Sequence, residues 1–347
     1  MKKLLAILLA CTLLFVFIAA CADDTPEVAD PTPAPAEEPV EEPAEEPTEE
    51  PAEEPAEEPT EEPADEASNH DLGLIGVSLF TLDIPFPLAS YEGIRRAEAD
   101  FGADILVVDN GNDVATNVSQ IEDLKGAGMS ALVIMPVDVF AVTPVIEDVM
   151  ALGIPIISVN RLVADIELDG VNHVWLGTDN VEAGYAKGEF FMTLVDEGAE
   201  VIILEGTPGA SSGIDRLDGF TAATEGRLNV LESITANFNR VDGLHVTEDL
   251  LVRFPDVRYI IAMNDEMALG AIQAALDAGR IPGEDIFITG FDGGGDARDA
   301  VASGEMMFTV YQDPEGMGYM GIEVALGLLR GETFPPRILF DVGFVTP

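Results

Sequence analysis

From about Asp71 to its end, the chain alternates short apolar runs with longer stretches whose apolar residues recur at helical spacing. Short apolar runs bounded by turn residues read as buried strands, and recurrence at i, i+3 and i+4 reads as amphipathic helix. Strands are predicted at 74–80 (LIGVSLF), 103–109 (ADILVVD), 131–136 (ALVIMP), 154–160 (IPIISVN) and 173–180 (HVWLGTDN). Further strands are predicted at 201–206, 230–238, 259–263, 285–293 and 306–313, with ILFDV as the last. Helices are predicted near 88–101 and 113–126, up to about Val195, at 212–226, after Asp265 and up to Arg330. Strands alternating with helices argue for parallel sheets covered on both faces. Roughly ten such units are too many for one small sheet, so two α/β lobes are expected.

The stretch YIIAMNDEMALGA (259–271) is the clearest of these units. Its apolar run ends at Asn264 and a helical pattern begins. Asn at that junction is a good helix cap, because its side-chain oxygen accepts a free N–H of the first turn. The strand ends of an open α/β sheet also face the crevice where ligands bind, so Asn264 doubles as a candidate ligand amide. Asp265 and Glu266, in the first helical turn, suit the cap and the helix dipole.

The first seventy residues lack this texture. Residues 1–21, MKKLLAILLACTLLFVFIAAC, place two lysines before an apolar run that ends in small residues and a cysteine. That is the pattern of a secretory signal. Its Ile18-Ala19-Ala20-Cys21 tail resembles the bacterial lipobox, which makes Cys21 the expected lipidation site and membrane anchor; an ordinary signal peptide or an uncleaved anchor are the alternatives. In residues 22–70, Glu-Glu-Pro recurs every four residues from Glu37 through Pro63. A segment with almost no apolar side chains cannot offset the entropy of ordering, so a disordered Glu/Pro-rich tether is expected.

Charge narrows the partners. Residues 1–70 carry 20 acidic residues against Lys2 and Lys3, and residues 71–347 carry 45 acidic against 14 basic, which together give the net −49. Phosphate binding needs clustered Lys and Arg, so nucleic acid is excluded as a partner. Both cysteines, Cys11 and Cys21, precede the folded part, which therefore has no disulfide, no Cys-ligated metal and no Cys nucleophile. The three histidines are far apart and no DxDxDG loop is present, so no metal site and no cofactor are expected. There is no GxxxxGK[ST] loop and no GxSxG elbow, and no catalytic residue is assigned. Gly293-Gly294-Gly295 lacks a following Lys-Ser/Thr and reads as a flexible turn.

Polar groups recur at successive strand ends: Asn160-Arg161, Asn264, Asp292 and Gln312. Phe86 and Phe238 lie where strands give way to helices, and Arg216 lies in the helix after 201–206. Guanidinium, carboxylate and amide groups make directional bonds to hydroxyls, and aromatic rings pack on C–H faces. Together they suit a sugar. Singly, the two phenylalanines also suit a core, the two arginines surface ion pairs, and Asp292 a helix cap.

Residues 71–347 resemble the type I periplasmic solute-binding proteins of ABC transporters, most closely the ribose-binding branch. The resemblance is carried by Pro85-Phe86, Asn160-Arg161, Thr178-Asp179-Asn180, SGIDRLDGF (212–220), Phe238, NDEMALGA (264–271), GFDG (290–293) and Gln312. It implies two Rossmann-like doubly wound parallel-sheet lobes joined by three crossover hinge strands, near 175–178, 310–313 and 338–342. The first lobe would hold 71–175 and 314–338, the second 176–313 and 339–347. It also implies a monomer that is not an enzyme and that delivers a monosaccharide or related polyol to an ABC permease. A receptor presenting ligand to a chemoreceptor or sensor kinase is the alternative. In the family, the position matching Phe86 stacks on the sugar and that matching Phe238 lies on the opposite face. Positions matching Asn160, Arg161, Arg216, Asn264, Asp292 and Gln312 contact its hydroxyls and ring oxygen. The chain departs from the ribose pattern on the first lobe. Ile84 and Met135 stand for asparagines, Pro87 for a second stacking phenylalanine and Asn160 for an aspartate. Ile84, Pro87 and Met135 are therefore specificity candidates, and a less polar ligand face is expected there.

Overall fold

The computed structural model describes residues 69–347; the signal segment, Cys21 and the Glu-Glu-Pro repeat lie outside the described residues. After a 3-10 turn at Asn69–Leu72, the chain forms β1 (Ile75–Leu79), α1 (Pro85–Phe101), β2 (Ile105–Asp109), α2 (Val114–Gly126), β3 (Ala131–Met135), α3 (Thr143–Met150), β4 (Ile156–Val159) and β5 (His173–Gly177). It continues through α4 (Asn180–Met192), β6 (Ala199–Glu205), α5 (Ser211–Thr224), β7 (Leu228–Thr235), α6 (Arg240–Arg253), β8 (Tyr259–Ala262), α7 (Asp265–Asp277), β9 (Phe287–Thr289), α8 (Gly295–Ser303) and β10 (Thr309–Tyr311). Last come α9 (Pro314–Leu329), β11 (Arg337–Leu339) and β12 (Gly343–Val345).

Two sheets result. One is wholly parallel with order β2-β1-β3-β4-β5-β11. The other has the parallel order β7-β6-β8-β9. Bridges Thr289–Phe308 and Asp292–Tyr311 continue it to β10, on which β12 lies antiparallel. The chain passes between sheets three times: from β5 into α4, from β10 into α9, and from β11 to β12. All residues of β1, β3 and β5 are buried, as expected of parallel strands covered on both faces.

The structure corrects the element list at several points. Helices α3, α6 and α8 were not predicted. Gly295 opens α8 instead of a flexible turn, and only Gly293, at φ +70°, has the turn conformation. The final strand is two short ones in different sheets. Helix α1 starts three residues before Leu88, because Pro85 occupies its first turn, where its missing N–H costs nothing and its fixed φ already suits a helix.

Three helix pairs are held backbone to backbone by facing glycines. A Cβ at Gly93 or Gly318 would overlap a main-chain carbonyl of the partner helix in the α1/α9 pair. Gly184 and Gly219 do the same for α4/α5, and Gly243 and Gly270 for α6/α7. The α4/α5 contact bears on function, because Gly184 packs on the carbonyl of Arg216 itself. The two lobes also touch away from the crossings, where the Val139 N–H donates to the Gly209 carbonyl at 3.0 Å and the Leu162 N–H to Ser211 Oγ at 3.1 Å.

Gly184→Ala should lower stability by about 1–3 kcal/mol, since neither backbone can yield without moving the other. Gly126→Ala, where the added Cβ meets nothing, should be neutral or stabilising by up to about 1 kcal/mol. Urea midpoints of the two variants check both signs.

Candidate functional site: the cleft between the lobes

Carboxyl ends of strands from both sheets converge on one cleft. Its centre is lined by Phe80, Ile84, Phe86, Asn160, Arg161, Ser212, Arg216, Phe238, Asn264 and Asp292. Seven of the eight predicted contact residues meet here. The eighth, Gln312, is one bond away, its Nε2 donating to Asp292 Oδ1 at 2.8 Å. Of the specificity candidates, Ile84 lines the cavity. Pro87 is buried in the first turn of α1 and Met135 in the first-lobe core, and neither is brought to the cavity wall.

Local backbone geometry aims these groups. Asn160 follows β4 with φ +60°, and Asn237 and Phe238 follow β7 with φ +56° and +55°. Asp292 follows β9 with φ +124°. Non-glycine residues there cost of order 1–3 kcal/mol each and persist where the surroundings over-determine them. For Phe238, Gly206 and Gly213 leave the space its ring fills. Asp292 is clamped by β10, its N–H donating to Val310 and its carbonyl accepting from Gln312.

Arg216 is tied on several sides. Its Nε donates to Asn180 Oδ1 at 2.8 Å, and its Nη1 to the Met263 carbonyl at 2.9 Å and Asp292 Oδ1 at 3.3 Å. Its guanidinium carbon stands 3.8 Å from the centre of the Phe291 ring. Arg161, 2% exposed, has no carboxylate partner among the described residues. Its Nη1 donates to the carbonyls of Pro136 and Val137 at 2.9 and 3.2 Å, and its guanidinium lies 3.7 Å over Phe80. Both guanidinium groups flank the Phe238 ring, at 5.7 and 5.9 Å. Asn264 has two structural tasks: Oδ1 caps α7 by accepting from the Met267 N–H, and Nδ2 donates to the Phe238 carbonyl at 3.2 Å.

The periplasmic binding protein domain family matches residues 75–333. The chain belongs to this family. It is 35% identical over 258 residues to the ribose import binding protein of Bacillus subtilis, covering 74% of this chain and 82% of that one. It is 34% identical to the ribose import binding protein of Escherichia coli, covering 78% and 90%. Among solved structures, an ABC transporter solute binding protein from Bacillus halodurans with bound myo-inositol superposes with TM-score 0.74 at 27% identity, covering 80% of this chain and 95% of that one.

In this periplasmic binding protein the cleft is nearly shut. Its centre holds about 20 Å³, room for about one water. It is flanked by a cavity of about 430 Å³ reaching Gln312 and the start of α8, and by one of about 180 Å³ beside Phe80 and Asn237. Burial sets the electrostatics. It pulls Arg161 down to about 9, helped by Arg216, so Arg161 remains a cation at neutral pH. It also lowers Arg216, opposed chiefly by Asp292. It pushes Asp292 up to about 7 against the pull of Arg216.

Phe80, Ser212 and a buried pair beneath the site were not predicted. Lys187 Nζ donates to the carbonyls of Ala262 and Gly290 at 2.6 and 3.0 Å, tying β8 to the end of β9. Asp265, expected to serve the cap and dipole, instead accepts from Thr309 Oγ1 at 2.5 Å and the Gly294 N–H at 2.8 Å. One signal was available: Lys187 shares a helical face with Ala183, Gly184 and Phe191, all buried.

Arg216→Ala should cost roughly 3–5 kcal/mol of stability, because it leaves Asp292 and two oxygens buried without their donor. Urea unfolding at neutral pH measures it, and a loss under 1 kcal/mol would show that Arg216 does not brace the second lobe.

Proposed function

We propose that this protein is the extracytoplasmic receptor of an ABC importer and that its cargo is a monosaccharide or related polyol. The observation that carries this reading is the convergence of two guanidinium groups, a carboxylate, amides and the rings of Phe86 and Phe238 on one interlobe cleft. Hydroxyls are met by groups that donate and groups that accept, and ring C–H faces by aromatic surface. A relative that is a ribose import binding protein and a structural neighbour with bound myo-inositol support the same class.

In this reading the ligand enters between open lobes and bridges them. Asn160, Arg161, Asp292 and Gln312 contact it directly, Arg216 and the remaining amide hydrogen of Asn264 complete the ring of partners, and Phe86 stacks on it. Ligand shifts the equilibrium by contacting the closed form better than the open one, and the closed form docks on the permease. Lipidated Cys21 and the tether of residues 22–70 hold the receptor at the membrane as a monomer.

A thermal-shift panel of pentoses, hexoses, their acids and cyclic polyols tests the assignment. A ligand at a hundred times its Kd stabilises by about 2.7 kcal/mol. At least one member should raise the melting temperature by several degrees, and no shift from any of them would overturn the sugar assignment.

A further inference from the structure

The centre of the cleft is lined by one more positive charge than negative. Arg161 and Arg216 face a single lining carboxylate, Asp292, and that carboxylate is bonded to Arg216. Among the described residues Arg161 has only neutral oxygens and the rings of Phe80 and Phe238 as partners. Around the flanking cavity Lys187 faces Asp265, Glu266 is held by Arg240 through two bonds, at 2.7 and 2.9 Å, and Glu315 pairs with Arg96, while Asp296 and Asp313 line it too, so the positive excess belongs to the centre of the cleft alone. A buried unpaired ion is among the costliest arrangements a fold contains.

A second observation points the same way. Asn160 Nδ2 and Arg161 Nε are buried donors with no partner among the described residues, on residues 4% and 2% exposed. They are neighbours in sequence, and both residues line the cavity. Two vacant donors beside a spare charge suit a group that only accepts. Helices α1 and α5 also begin at this wall, and neither Ile84 nor Ala210 supplies a side-chain cap. Their first-turn N–H groups and positive dipole ends add to a field favouring an anion.

From this we infer that the site selects a sugar acid, a monosaccharide or related polyol bearing one carboxylate, with that carboxylate held by Asn160 and Arg161. This rests on the sugar-receptor reading above and narrows it. With Asp292 ionised the excess is one charge, which matches a monoanion and not a phosphate dianion. The rest of the ligand would face Asp292, Gln312 and Arg216 through hydroxyls, with Phe80, Ile84 and Phe86 against its C–H surface. Because the chain is strongly acidic overall, its surface field opposes an anion, and selection must come from these buried contacts.

Titration calorimetry of the full chain with D-galacturonate, D-glucuronate, D-gluconate and D-ribonate, each beside its neutral parent, tests the inference. At least one acid should bind ten-fold or more tightly than its parent. Asn160→Asp supplies the missing carboxylate and should reverse that preference. Asn160→Ser, which leaves the charge alone, should weaken the acid but keep its advantage, so a folding failure of one variant leaves the other informative. Neutral sugars binding as tightly as their acids, with no reversal in Asn160→Asp, would overturn the charge argument and leave the sugar-receptor reading standing. No binding by any acid or parent would overturn both.

Discussion

Two guanidinium groups are buried against one carboxylate in a cleft with room for about one water, and the second half of the molecule is arranged around that constraint. A buried cation must be surrounded by oxygens or stacked on a ring. Arg216 receives both, from Asn180, Met263, Asp292 and the face of Phe291. Those partners come from α4, the end of β8 and the end of β9. Their register is held one layer below by Lys187, which ties the last carbonyl of β8 to Gly290, and by Asp265, which ties α7 to Thr309 and Gly294. Gly184 then lets α4 approach the Arg216 backbone closely enough for Asn180 to reach its guanidinium.

The first lobe satisfies its arginine less completely. With the cleft nearly shut, Asn160 Nδ2, Arg161 Nε and Gln312 Oε1 are buried without a protein partner among the described residues. Each such group costs about 1–3 kcal/mol relative to its solvated state. Opening the lobes would hydrate all three, whereas a ligand that bonds to them would remove the cost without opening. In the proposed reading, the same groups would hold a ligand and disfavour a shut cleft without one. The lobes touch at few other places, through Val139 with Gly209 and Leu162 with Ser211, so little else opposes opening.

Much of this was legible in the sequence because parallel sheets write a simple signal. Buried strands are continuous apolar runs, and their carboxyl ends collect polar residues, so Asn160, Arg161, Asn264, Asp292 and Gln312 could be placed at strand ends before any coordinates. What escaped detection depends on tertiary contact. Helix α6 has few buried apolar residues, so its pattern is weak, and α8 begins in a glycine run that looks like a turn. Asn264 read as a cap and a ligand amide, and its carbonyl does cap α7, but nothing in the sequence showed that its amide also holds the Phe238 carbonyl. Met135 was a specificity candidate because it stands for an asparagine of the ribose-binding pattern, and as an apolar residue it is buried in the first-lobe core. Asp265 and Lys187 lie 78 residues apart, and no spacing rule would pair them.

The central claim is that the shut cleft is unfavourable when empty and favourable when occupied. Small-angle X-ray scattering of the folded part, with the N-terminal 68 residues removed, measures the balance most directly. Without ligand the radius of gyration should exceed that calculated from this structure, and addition of a sugar found to bind should bring it down to the calculated value. An empty protein that already scatters as the shut form, unchanged by that ligand, would contradict the account.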